Sequence, residues 1–198
     1  MRNLSLYRLL VAAVAAVPVV ALAHTGLGDG HDLADGFMHP LTGIDHVLAM
    51  VAVGVIAVQL GGRALWAVPL SFVATMAIAA SIGMAGLTLP GLEAAVALSV
   101  IVLGGVISLR VKLPVVLAAA MVAVFAMFHG YSHGLEMYRV DAGAGFGLGF
   151  VSATALLHLA GVGLGLLTGR IAASRARRLS QAAGGALVLA GAVLFAAA

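Results

Sequence analysis

After a short amino-terminal leader the chain alternates long apolar stretches with brief polar breaks. The apolar stretches fall at roughly 40–59, 65–87, 91–109, 113–132, 143–168 and 180–197, each near the ~20 residues a helix needs to cross ~30 Å of hydrocarbon. The breaks carry turn and charge punctuation: Gly61-Gly62-Arg63, Leu89-Pro90-Gly91, Arg110-Val111-Lys112, the polar run from Glu136 to Asp141, and SRARR at 174–178. Only helices or closed barrels satisfy their own backbone groups in lipid, and these runs lack the alternation of a barrel strand. The pattern predicts an all-α fold, a polytopic membrane helix bundle of six transmembrane helices.

The leader has its own pattern. MRNLSLYR holds two arginines, LLVAAVAAVPVV is a short apolar core, and Ala21-Leu22-Ala23 has the small-x-small form that precedes a signal-peptidase cut. Residues 1–23 read as a cleavable signal peptide, and residues 24–198 as one six-helix transmembrane domain. Cleavage makes His24 the new amino terminus. The alternative, an uncleaved first helix, requires a longer apolar stretch than this one.

Composition agrees and adds a constraint. Of 198 residues, 63% are hydrophobic and 9% charged, mean hydropathy is +1.18, and cysteine is absent. Without cysteine, any metal here is held by imidazole, carboxylate, thioether or backbone oxygen. The pI near 10.0 does not point to nucleic acid, because the basic residues sit in short loops between apolar segments; the partner is the lipid bilayer. With the mature N-terminus outside, Arg63, Arg110, Lys112, Arg170, Arg175, Arg177 and Arg178 all fall on the inner side, and only Arg139 of the mature chain lies outside. The acids, Asp29, Asp32, Asp35, Asp45, Glu93, Glu136 and Asp141, fall on or near the outer side, where they would draw cations. This sorting predicts a multi-pass protein of a bacterial inner membrane with both mature termini periplasmic.

Function must be argued from the polar residues. In HPLTGIDH at 39–46, a helix entering at Pro40 puts His39 and His46 on nearly the same face, unless His39 sits just before the helix, and Asp45 about 100° round from His46. Asp45 serves either as a ligand or as the orienter of a histidine. In FHGYSHGLE at 128–136, His129, His133 and Glu136 project to one side if the helix persists that far. Each cluster alone also reads as interfacial polar residues. Together, from separate spans at one membrane side, they point to a site for a divalent transition metal with accessible, exchangeable ligands.

His158 lies deep on the fifth span, and is read either as a lower station on a polar route or as a histidine hydrogen-bonded to Thr154 or Ser152. The tail HTGLGDGHDLADG adds His24, His31 and Asp32 as a possible capture segment. Met50, one turn beyond His46, is a candidate soft ligand, and Ser71 with Thr75 a polar pair that could line a cavity. Glu93 suits a helix N-terminus. Gly161, Gly165 and Gly169, and the Gly143–Gly147 and Gly145–Gly149 pairs, have the small-xxx-small spacing of close helix contacts. No nucleotide-binding motif is present, which argues against direct ATP coupling.

HPLTGIDHVLAM and FHGYSHGLE resemble the two signature motifs of the HupE/UreJ family of nickel and cobalt transport proteins, and the leader with six spans extends that resemblance over essentially the whole chain. Ser132 stands where the family pattern has alanine. The resemblance implies a secondary transporter, not an enzyme, taking up Ni²⁺ as transported substrate with no permanently bound cofactor. It implies His39, Asp45, His46, His129, His133 and Glu136 as the functional residues, and a metalloenzyme maturation system as the consumer of the metal. The donor chemistry by itself suits nickel, cobalt, zinc and iron alike. Two rivals use the same residues: an intramembrane metal-dependent zinc hydrolase, and a haem protein with axial histidines facing each other across helices.

Overall fold

The computed structural model describes residues 33–139 and 142–198. The leader and the tail residues His24, His31 and Asp32 lie outside the described residues. Within them are seven helices: α1 (Leu33–Thr42), α2 (Ile44–Leu60), α3 (Ala64–Gly83), α4 (Leu92–Leu109), α5 (Val115–Arg139), α6 (Ala144–Gly169) and α7 (Ala173–Ala197). Helices α3 to α7 are each long and apolar enough to cross a membrane, and α1 with α2 reaches that length and apolarity only together, across an 87° bend, which gives five spans or six. The helical membrane bundle is therefore as the hydrophobic pattern predicts.

The first span departs from expectation. A continuous helix from Pro40 onward was expected, but Pro40 lies inside α1 and the helix stops at Thr42. Proline supplies no backbone N–H to the helix ladder, the Thr42 hydroxyl donates to the His39 carbonyl at 2.7 Å, and Gly43 takes an extended conformation. α2 then starts afresh, with the Val47 N–H donating to the Gly43 carbonyl at 3.0 Å.

Two other boundaries moved because hydropathy records contact with lipid, not helicity. α5 runs on through the whole HGYSHGLE segment, and α7 begins before SRARR, so those arginines lie on helical turns and not in a break. At 25 residues α5 is ~37 Å long, enough for its polar last turns to project past the hydrocarbon.

Glycines set how closely the spans approach. A Cβ on Gly130 or Gly134 would run into the backbone of α3 at Met76 or Ala80, and one on Gly161 into the α2 backbone at Val51. One on Gly149 would strike Leu33 in α1. Thus α5 lies on α3, and α6 holds both α2 and the cross-lying α1. Gly169 and Gly143, by contrast, have no such neighbour. The core between the helices is apolar, with Met50, Val53, Ile56, Val68, Phe72, Leu103 and Phe150 almost fully buried. Leu70, Ile78, Val116, Leu189 and Val193 face outward, as lipid-facing positions should.

Candidate metal centre

The site forms where α1, α2, α4 and α5 meet, away from the basic loops. On α5, His129, His133 and Glu136 are spaced by four and three residues and so lie on one helix face. The bend at Gly43 makes this face useful. It separates His39, on α1, from His46, on α2, and brings them to different nitrogens of the same imidazole. His39 Nε2 is 3.2 Å from His133 Nδ1, while His46 Nε2 abuts His133 Nε2. The two histidines are thus not stacked on one face of a single helix, as expected; they embrace His133 from two helices.

Around that imidazole runs a continuous polar chain. Glu136 Oε2 lies 2.7 Å from both His39 Nε2 and His133 Nδ1. His46 Nε2 is 2.9 Å from His129 Nδ1, and His129 Nε2 is 2.8 Å from the Ser99 hydroxyl. Asp45 Oδ1 accepts from the His46 backbone N–H at 2.8 Å and lies 3.2 Å from His46 Nδ1. Asp45 is therefore placed to orient His46, one of the two roles its position allowed. Side-chain exposure falls from 44% at Glu136 and 32% at His39 to 6% at His133, and His129 is fully buried. The expectation of exposed or partly exposed ligands holds for His39, Asp45 and Glu136 but not for the inner three histidines.

The acceptors at the rim of this chain assign its protons. Ionised Asp45 and Glu136 can only accept, so they take N–H bonds from the Nδ1 atoms of His46 and His133. The Ser99 hydroxyl donates to the Val96 carbonyl at 2.6 Å, leaving its oxygen to accept from His129 Nε2. In that arrangement His46 Nε2, His133 Nε2 and His129 Nδ1 all carry lone pairs, and that of His46 meets those of both His129 and His133 with no hydrogen between. Such a meeting of lone pairs is repulsive alone and attractive around a cation. A second donor set lies further out: His39, His133 and Glu136 each offer an atom, all within 4.8 Å of one another. The two sets share His133 through opposite ring nitrogens.

Sequence reasoning missed Ser99, a fully buried serine in the apolar run of α4; a lone hydroxyl mid-span was its only signal. It also missed the aromatic wall of Phe72, Phe146 and Phe150, whose rings lie 5.7 Å from His129, 5.3 Å from His39 and 4.3 Å from His133 respectively. Other candidates fall elsewhere. Met50 is packed in the apolar core, the Ser71 hydroxyl donates to the Ala119 carbonyl at 3.0 Å, and Glu93 is exposed on the first turn of α4. His158 is buried on α6 but does not join the chain, and neither Thr154 nor Ser152 is its partner: their hydroxyls donate to the carbonyls of Phe150 and Leu148. Two clefts of about 350 and 410 Å³ lie at the opposite end and share Arg110 and Arg177, a lining unsuited to a cation.

The sequence profile of the family described as HupE / UreJ protein matches residues 11–194. The chain belongs to the HupE/UreJ family. Protein HupE of Rhizobium leguminosarum bv. viciae is 44% identical over 182 residues, which cover 92% of this chain and 93% of that protein. No solved structure matches. In this HupE/UreJ protein the two motifs that carried the resemblance are the two that meet at His133, one from α1 and α2 and the other from α5. The haem reading has no support in the geometry, since nitrogens 2.9 Å apart leave no room for a porphyrin plane between them.

Proposed function

We propose that this HupE/UreJ protein is a permease for a divalent transition-metal cation, nickel foremost and cobalt next, which it carries from the periplasmic side of a bacterial inner membrane inward. The observation that carries this reading is the approach of His46 Nε2 to ring nitrogens of both His129 and His133, all three buried, behind a rim where His39, His133 and Glu136 offer donors within 4.8 Å of one another. Membership of a metal-transport family supports it and does not favour the zinc hydrolase.

The geometry suggests a mechanism in two stages. Outer carboxylates concentrate the ion. Glu136, His39 and His133 Nδ1 then replace part of its water shell at the rim, and His46, His129 and His133 Nε2 receive it further in. A neutral imidazole has one lone pair, so His133 cannot hold both positions at once; moving inward requires its proton to pass from Nε2 to Nδ1, where Glu136 accepts the hydrogen bond. Each position is incomplete alone, which keeps binding loose enough for release. Imidazole and carboxylate donors suit nickel or cobalt without excluding zinc. The imported ion would serve a metalloenzyme maturation system.

Uptake of radioactive nickel into proteoliposomes holding the purified protein, with cobalt and zinc as competitors, is the test. Saturable nickel uptake that cobalt inhibits more strongly than zinc is the expected result. No saturable uptake of any of the three ions would refute the reading.

A further inference from the structure

Beyond the chain of four histidines lies a fifth that the chain does not reach. His158 on α6 is 2% exposed, and neither of its ring nitrogens has a hydrogen-bond partner among the described residues. Buried polar groups are nearly always paired, and an unpaired one calls for an explanation. Packing alone does not supply it, because leucine or phenylalanine would fill an apolar interior without two stranded nitrogens. The hydroxyl one turn earlier, Thr154, is directed instead to the Phe150 carbonyl at 3.0 Å and the Met76 sulfur at 3.8 Å.

The position of His158 suits a ligand of the same ion. Phe150, on the same helix, lies 4.3 Å from His133 between ring centroids; eight residues further along, His158 is ~12 Å deeper. One ring touches both it and the cluster. Phe72 from α3 makes edge contacts with His129 at 5.7 Å and with His158 at 5.2 Å. The α6 backbone around His158 is held against α2 so closely that a Cβ on Gly54 would strike the His158 carbonyl, so the imidazole is anchored on a fixed helix.

We propose that His158 is an inner coordination site for the divalent cation, beyond the ring of Phe72, and that its free nitrogens await that ion. This rests on the transport reading for its purpose, though not for its chemistry. Nickel binding to the purified full-length protein in detergent, measured by equilibrium dialysis, separates the two. His158→Leu should stay folded, with unchanged or higher thermal stability, keep the tighter nickel bound at the four-histidine chain, and lose one weaker ion per chain. His158→Gln, closer in polarity, serves if the leucine variant does not fold. Unchanged nickel stoichiometry in a folded variant overturns the proposal and assigns His158 to packing. Uptake is read separately. A parental protein that binds the His158-dependent ion but imports no nickel, cobalt or zinc would refute transport and leave the site standing.

Discussion

At the scale of single residues, His133 is the member on which the others depend, because its two nitrogens belong to both donor sets. His133→Ala should abolish nickel uptake at unchanged protein level, and so should His46→Ala; uptake at the parental rate by either would remove that histidine from the path. Asp45 is expected to behave differently. Its carboxylate bonds His46, and loss of a carboxylate that orients a ligating histidine typically weakens metal affinity by about 10–100-fold. Asp45→Asn should therefore raise the nickel concentration for half-maximal uptake by about that factor, with the maximal rate less affected. Ser99→Ala strands the buried Nε2–H of His129, a loss of about 1–3 kcal/mol that a thermal or denaturant unfolding series in detergent can measure. The histidines and carboxylates were legible in the sequence by type and spacing. Ser99 and the flanking phenylalanines were not, because a serine or phenylalanine within an apolar span looks like any other until its neighbours are known.

At the scale of elements, the site depends on one bend and a few close helix contacts. Gly43 has an ordinary extended backbone, so its value lies in space: a Cβ there would stand 3.0 Å from Asp45 Oδ1 and 3.5 Å from His46 Nδ1. Gly43→Val should displace that carboxylate and lower nickel affinity while the bundle still folds. Gly130→Leu is the opposite case. Its side chain would be driven into the α3 backbone at Met76, and overpacking of this kind costs about 1–3 kcal/mol or more. Lower yield and lower melting temperature are the expected readouts, with Gly105→Leu, which has no neighbour within 4 Å of its would-be Cβ, as the tolerant control. Hydrophobic runs located each apolar segment but ended α5 seven residues early and began α7 seven residues late, and they did not show that His39 belongs to a separate helix from His46. Period and hydropathy register which residues face lipid; they do not register that Pro40 and Gly43 jointly end one helix and start another at nearly a right angle.

At the scale of the molecule, the basic loops and the histidine cluster take opposite ends. The basic loops after α2, α4 and α6 follow helices that all run in one direction, which gathers Arg63, Arg110, Lys112 and Arg170 at one face of an up-and-down bundle. The His and carboxylate rim lies towards the other. Because the chain has no cysteine, the sidedness can be read directly: Gly62→Cys and Ala172→Cys should react with a membrane-impermeant maleimide only from the cytoplasmic side, and Gly91→Cys only from the periplasmic side. Labelling of all three from one side would refute the orientation inferred from charge.

By itself the sequence determined that this is a helical membrane protein, where its apolar segments lie, and which residue types are available for metal chemistry. Those properties follow from local composition and spacing, and the bilayer reads them as such. Tertiary structure alone decided that His39 and His46 reach opposite nitrogens of His133, that Asp45 supports His46, that Ser99 closes the far end and that His158 stands apart behind Phe72. The reason is physical: lone pairs converge or diverge according to helix bends and interhelical distances, and these are set by contacts between residues far apart in the chain, which no single stretch contains.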